Sequence, residues 1–215
     1  MEESSSNRIN TDNSIASKET AINTSPNFEI NYQISPYLEK KIIKSIAQNL
    51  KEIIKENIHN NQMKYVKHDI FYISRLPSIS LEDYIKRIFK NTKMNISSLI
   101  LSVIYIDRFS ELNGYIISLK NIHRILLSAC LLSIKFNEDI NINTKYYANI
   151  AGIPVNDLNN LEFYLIVKLE FSLFVDKDLY QKYFDYFCKY TNVDNKISEN
   201  KIITNKIKND NLNLK

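Results

Sequence analysis

The chain has 215 residues, 44% of them hydrophobic, with 28 basic and 24 acidic side chains and a formal net charge of +4; that length and apolar content suit one domain with tails. So small and interspersed a charge excludes the concentrated basic face of a nucleic-acid binder, and nucleic acid is not an expected partner. Two Gly and four Pro leave few of the turn positions that a many-stranded β fold needs, so the class reads as all-α.

Cys130 and Cys188 lie far apart in apolar helical contexts, which predicts two reduced core thiols and not a disulfide framework. No apolar run approaches the roughly 18 residues of a membrane span, and no signal-peptide pattern opens the sequence. The expectation is a soluble protein of the cytoplasm or nucleus with no membrane partner.

Residues 1–35 are rich in Ser, Asn, Thr and charge without a sustained apolar period, and read as a disordered tail. From Pro36 to about Ile58, residues Ile43, Ile46, Ala47, Leu50, Ile53, Ile54 and Asn57 step at i, i+3, i+4. Lys40, Lys41, Lys44, Lys51 and Lys55 mostly occupy other faces, which predicts an amphipathic helix. With a linker of mixed polarity it fills residues 36–78. Ser80 then opens S-L-E-D, a capping box with Asp83 in place of the usual Glu or Gln, and predicts a helix over about 81–93.

Residues 97–109 are apolar nearly all round, as in a helix enclosed by others. A turn follows at Asn113-Gly114. Ser118 is the expected cap of a helix over 119–136, with Ile122, Ile125, Leu126, Ala129, Leu132, Ser133 and Phe136 facing the core. A short helix over 144–151 is stopped by Gly152 and Pro154, and the next carries Leu158, Leu161, Leu165 and Leu169. After a cap at Asp176, residues Leu179, Tyr183, Tyr186, Phe187 and Tyr190 form an aromatic stripe over about 178–190 that reads as core packing. Residues 191–215 form a polar tail.

Ordered along these helices stand S-I-S-L-E-D-Y-I-K-R-I (78–88), Y-I-D-R-F (105–109), K-F-N-E-D (135–139) and Y-A-N-I-A-G-I-P-V-N-D-L-N-N-L-E (147–162). The set resembles a single cyclin box over about 79–190 with its flanking C-terminal helix, nearest to the P-type, or phosphate-response, cyclins. The resemblance implies a five-helix box and a regulatory subunit, not an enzyme. Its partner would be a cyclin-dependent protein kinase, held as a heterodimer, with cell-cycle or nutrient-response control as the process. A cyclin presses on the kinase C helix so that the C-helix glutamate can pair with the ATP-positioning lysine.

Carried over position by position, the resemblance implies that Lys135 and Glu162 together grip polar groups near that helix. A Lys head offers three donors and a carboxylate accepts amide hydrogens, so each makes charge-assisted bonds. Phe136, Leu158 and Leu165 are either their apolar companions or core. Glu138 and Asp139, in the loop after Lys135, are either solvated or offer one carboxylate to an arginine of the kinase activation region. Asp107 and Arg108 are expected to be structural, as an internal ion pair or cap.

Where A-type cyclins carry M-R-A-I-L and a tryptophan that dock substrate motifs, this sequence reads P-S-I-S-L, so that mode of docking is not expected. No Gly-rich phosphate loop, H-E-x-x-H motif or Cys/His cluster is present, and His59, His68 and His123 are scattered, so neither catalysis, cofactor nor metal is expected. The alternatives are a transcription-factor-IIB-like use of the same fold, which normally has two repeats and a more basic surface, and a helical adaptor that activates no kinase.

Overall fold

The computed structural model describes residues 34–60, 69–140 and 143–190; the two expected tails fall almost wholly outside them. The described residues form seven helices: α1 (Pro36–His59), α2 (Leu81–Thr92), α3 (Ile96–Asn113), α4 (Ile122–Asn137), α5 (Thr144–Ala151), α6 (Val155–Lys168) and α7 (Lys177–Tyr190). No strand occurs among them. The all-α expectation holds, and the helices fall in the expected places.

Helices α3 and α4 form the centre and pack most extensively on each other; α6 lies against α4, and α1 joins α2 to α7. Leu99, Ile100, Val103, Tyr105, Ile106 and Phe109 of α3, with Ile122, Ile125, Leu126, Leu131 and Ile134 of α4, are wholly or almost wholly buried. Three serines in this apolar interior return their hydroxyls to their own helices, whereas the buried Ser98 hydroxyl of α3 has no partner among the described residues. Ser102 donates to the Leu99 carbonyl at 2.6 Å, Ser128 to Arg124 at 2.8 Å and Ser133 to Cys130 at 2.8 Å. Such short side chains let two helices approach closely while a buried hydroxyl keeps a partner. Both Cys130 and Cys188 are free thiols.

The starts of α2 and α7 follow the capping chemistry. The Ser80 side chain accepts from the Asp83 amide at 3.1 Å, and its hydroxyl donates to the Asp83 carboxylate at 2.7 Å. Asp83 therefore closes the box onto the cap's side chain, a shorter reach than the usual Glu makes to the cap's amide. Asp176 accepts from the Leu179 amide at 2.8 Å and starts α7. At Gly114 and Gly152 the chain turns through the left-handed region, with φ of 56° and 71°, and ends α3 and α5.

Two boundaries differ from expectation. Helix α3 runs on to Asn113, one turn past Phe109, because Ser110, Glu111 and Asn113 extend it before Gly114 stops it. Helix α4 begins at Ile122, not at 119. Asn121 turns its side chain back, accepting from the Ser118 amide at 2.8 Å and donating to the Ile116 carbonyl at 2.9 Å, so Ser118 belongs to a turn before the helix.

The expected stripe of α7 is core in part; Leu179 is only half-buried, and the Tyr190 side chain lies outside the described residues. Tyr183 and Phe187 are buried, together with Tyr180. Tyr186 is half-buried and accepts from the Asn49 side-chain amide of α1 at 3.2 Å. From the far side, Phe71 meets Phe109, Tyr115 and Tyr164 edge-on, which ties the segment before α2 to α3 and α6.

Candidate functional site

Lys135 lies in the last turn of α4, where the helix dipole favours a cation, and α6 packs alongside carrying Glu162. The Lys135 ammonium reaches both carboxylate oxygens of Glu162, at 2.6 and 2.7 Å. The two side chains are not equally wet: Lys135 keeps 39% of its surface exposed and Glu162 only 13%. A carboxylate so far withdrawn from water needs its partner, whereas the lysine still presents donors outward. The pair is a half-buried cross-helix clasp at the edge of the bundle.

The companions expected from the sequence divide. Phe136, expected both to face the core and to accompany Lys135, is 49% exposed and lies outside the core. Leu158 and Leu165 are fully buried, so their surface is spent inside the bundle and neither offers a face to a partner. Glu138, at the end of α4, accepts from the backbone amide of Asn95 at 2.9 Å and so ties that end to the start of α3. Asp139 beside it is exposed.

Asp107 and Arg108 do not pair with each other. Adjacent helical residues point about 100° apart, and these two serve different neighbours. Tyr183 of α7 donates its hydroxyl to Asp107 at 2.8 Å. Burial pushes the Asp107 carboxyl up to about 7; the Tyr183 hydrogen bond opposes that rise and the nearby Glu111 charge adds to it. Arg108 instead donates to the carbonyls of Ser172 and Phe174, the latter at 3.2 Å from both terminal nitrogens. Tyr105 adds a bond to the Leu173 carbonyl at 2.9 Å. Asp107 thus bonds to α7 and Arg108 to the strap that precedes it, each on its own partner.

That strap carries surface the sequence reading missed. Phe163 and Val167, one turn apart on α6, are 68% and 41% exposed, and Phe171 and Phe174 beyond the helix are 65% and 54% exposed. Glu170 and Phe171 both sit at positive φ, 53° and 58°, a conformation that costs a non-glycine residue about 1–3 kcal/mol. Amide bonds from Glu170 to Val167, Phe171 to Ile166 and Ser172 to Leu169 hold the turn. A signal was present: with Leu158, Leu161, Leu165 and Leu169 facing the core, Phe163 and Val167 fall off that face.

Among the described residues no three His, Cys, Asp or Glu side chains converge as metal ligands, and no helix is long and apolar enough to cross a membrane.

The cyclin family model matches residues 2–173. The chain is 35% identical to Cyclin-U2-1 of Arabidopsis thaliana over 118 residues, which cover 54% of this chain and 53% of that protein. It is 31% identical to Cyclin-U4-1 of Arabidopsis thaliana over 121 residues, covering 56% and 60%. It is 32% identical to Cyclin-P3-1 of Oryza sativa subsp. japonica over 114 residues, covering 53% and 48%. The chain thus spans about half the length of these curated relatives, among them a P-type cyclin, in agreement with the resemblance read from its motifs. With four-fifths of its length matched by the family model and an all-helical bundle built around α3 and α4, the chain belongs to the cyclin family.

Proposed function

We propose that this chain is the regulatory subunit of a cyclin-dependent protein kinase, forming a heterodimer in which it holds the kinase C helix in its working position. The process served is control of cell division or of a nutrient response. The observation that carries the proposal is the Lys135–Glu162 clasp, half-buried across α4 and α6, with aromatic surface exposed on the same elements.

In this reading the Lys135 donors left facing outward meet backbone carbonyls beside the kinase C helix, and Glu162 accepts from an amide there. Phe136, Phe163 and Phe171 supply apolar area, since aromatic anchors dominate the energetics of such interfaces. The left-handed turn at Glu170 and Phe171, with Arg108 bonded just beyond it to Ser172 and Phe174, presents Phe171 outward. Asp139 is the exposed anion available to an arginine of the activation region, while Glu138 is engaged by Asn95. The chain itself carries out no bond-making step; its contribution is positional.

Affinity purification from native cells, followed by a kinase assay, tests the proposal. The expected result is a co-purifying kinase whose phosphotransfer rises on adding this chain. Recovery of only non-kinase partners would overturn it.

A further inference from the structure

Helix α6 turns one line of side chains directly away from the bundle. At about 100° per residue, Asn156, Asn160, Phe163 and Val167 fall within about 60° of one another, opposite the buried Leu158, Leu161 and Leu165. The Phe171 amide donates to the Ile166 carbonyl at 3.0 Å, which sets Phe171 against the end of the same helix. Beyond it Leu173 and Val175 are buried while Phe174 between them is exposed, the alternation of an extended segment that points Phe174 outward.

Taking about 200 Å² for a phenylalanine, the exposed parts of Phe163, Phe171, Phe174 and Val167 amount to roughly 400 Å². An interface about 60% apolar built on that patch covers roughly 700 Å² of each partner, close to the ~800 Å² of a standard specific contact. The polar positions on the same line, Asn156 and Asn160, are neutral carboxamides, and the charges at its end, Lys168 and Glu170, are one of each sign. A near-neutral apolar face suits neither a nucleic acid nor an anionic membrane surface. It does suit a second copy of itself, because two such faces meet without like charges opposed.

We propose that two copies of this chain pair through this face as an isologous dimer, α6 antiparallel to α6 about a two-fold axis between Phe163 and Val167. Each Phe163 then packs on the other copy's Val167, and each Phe171 and Phe174 meets the first turns of the other copy's α6. Asn160 stands level with the other copy's Glu170, a neutral amide donor opposite a carboxylate. Phe163 and Phe171 also belong to the area assigned to the kinase, so a paired copy closes that area and a kinase must displace it. Only this consequence rests on the kinase reading; the self-association does not.

The test is sedimentation velocity of the full chain, without kinase, across a wide concentration series. A reversible monomer–dimer equilibrium with Kd on the order of 10 μM is expected. Phe163→Glu and Val167→Lys should each weaken it about tenfold or more, since each sets unpaired charges at the apolar contact. Mixed in equal amounts, the two variants should dimerise again, because the mixed pair keeps one Phe163–Val167 contact and replaces the other by opposite charges. Both positions are exposed, and melts by circular dichroism establish that the variants fold. Tyr37→Ser, which removes an aromatic side chain 77% exposed on α1, should leave the equilibrium unchanged. The proposal is overturned if the chain stays monomeric throughout, if the dimer survives Phe163→Glu, if Tyr37→Ser abolishes it, or if the mixture remains monomeric. Added kinase should convert the dimer to a one-to-one complex. A chain that dimerises as described but recruits no kinase refutes the kinase reading and leaves the self-association standing.

Discussion

The Tyr183 hydroxyl donates to the Asp107 carboxylate at 2.8 Å, joining α7 to the centre of the bundle through a buried acid whose pKa burial has raised to about 7. In the unfolded chain that carboxyl ionises near 3.9. Between these values the folded state holds the proton that the unfolded state has lost, so stability falls as pH rises through the window. The contribution is complete below about pH 4 and gone above about pH 7; a displacement of that size corresponds to roughly 2–4 kcal/mol. Asp107→Asn keeps an acceptor for Tyr183 without the charge. Urea unfolding from pH 5 to 8 should show the variant flatter with pH and the more stable of the two at pH 8.

Arg108 holds three backbone bonds to Ser172 and Phe174 in place. Removing the guanidinium in Arg108→Ala should cost about 1–3 kcal/mol and speed amide exchange in residues 171–175. Arg108→Lys should restore only part of this, because one ammonium cannot span two carbonyls as the planar fork does. Hydrogen exchange with mass detection separates this local loosening from global destabilisation.

Glu138 and Asp139 should separate on mutation although they are neighbours. Glu138→Ala removes the acceptor of the Asn95 amide and should cost about 0.5–1.5 kcal/mol of stability, while Asp139→Ala should leave the melting temperature unchanged. In the kinase complex the double variant should lower turnover, and Asp139→Ala alone should reproduce most of the loss. Unchanged turnover in the double variant would remove the anion from the mechanism.

Gly152 sits at φ 71°, yet a Cβ added there would touch nothing within 4 Å. Gly152→Ala therefore carries conformational strain without a clash, and should cost about 1–2 kcal/mol. A chemical denaturation midpoint lowered with unchanged slope is the expected readout.

Much of this architecture was legible because the signals were local. Ser80, Asp176, Gly114 and Gly152 mark helix ends by chemistry that acts within a few residues, and the apolar periods of α3 and α4 declare two enclosed helices. What escaped depends on contacts distant in sequence. That Asp107 reaches Tyr183 and Arg108 reaches Phe174, instead of each other, follows from how α7 and the strap fold back over α3. The L–E–F run around Glu162 showed its charge but not the outward Phe163, because one apolar residue off a core face does not reveal what lies above it. Leu158 and Leu165 were readable as core from their three- and four-residue spacing with Leu161 and Leu169, and full burial removes them from the proposed docking face.

The reciprocal exchange Lys135→Glu with Glu162→Lys tests the central claim most directly. The two charges can still pair across α4 and α6, so the melting temperature should stay within a few degrees, while every bond offered to a kinase is reversed in sign. Titration calorimetry against the co-purified kinase should then show binding weakened by about 2–5 kcal/mol, with phosphotransfer no longer stimulated. A folded exchange variant that binds and stimulates the kinase as well as the natural chain would contradict the account.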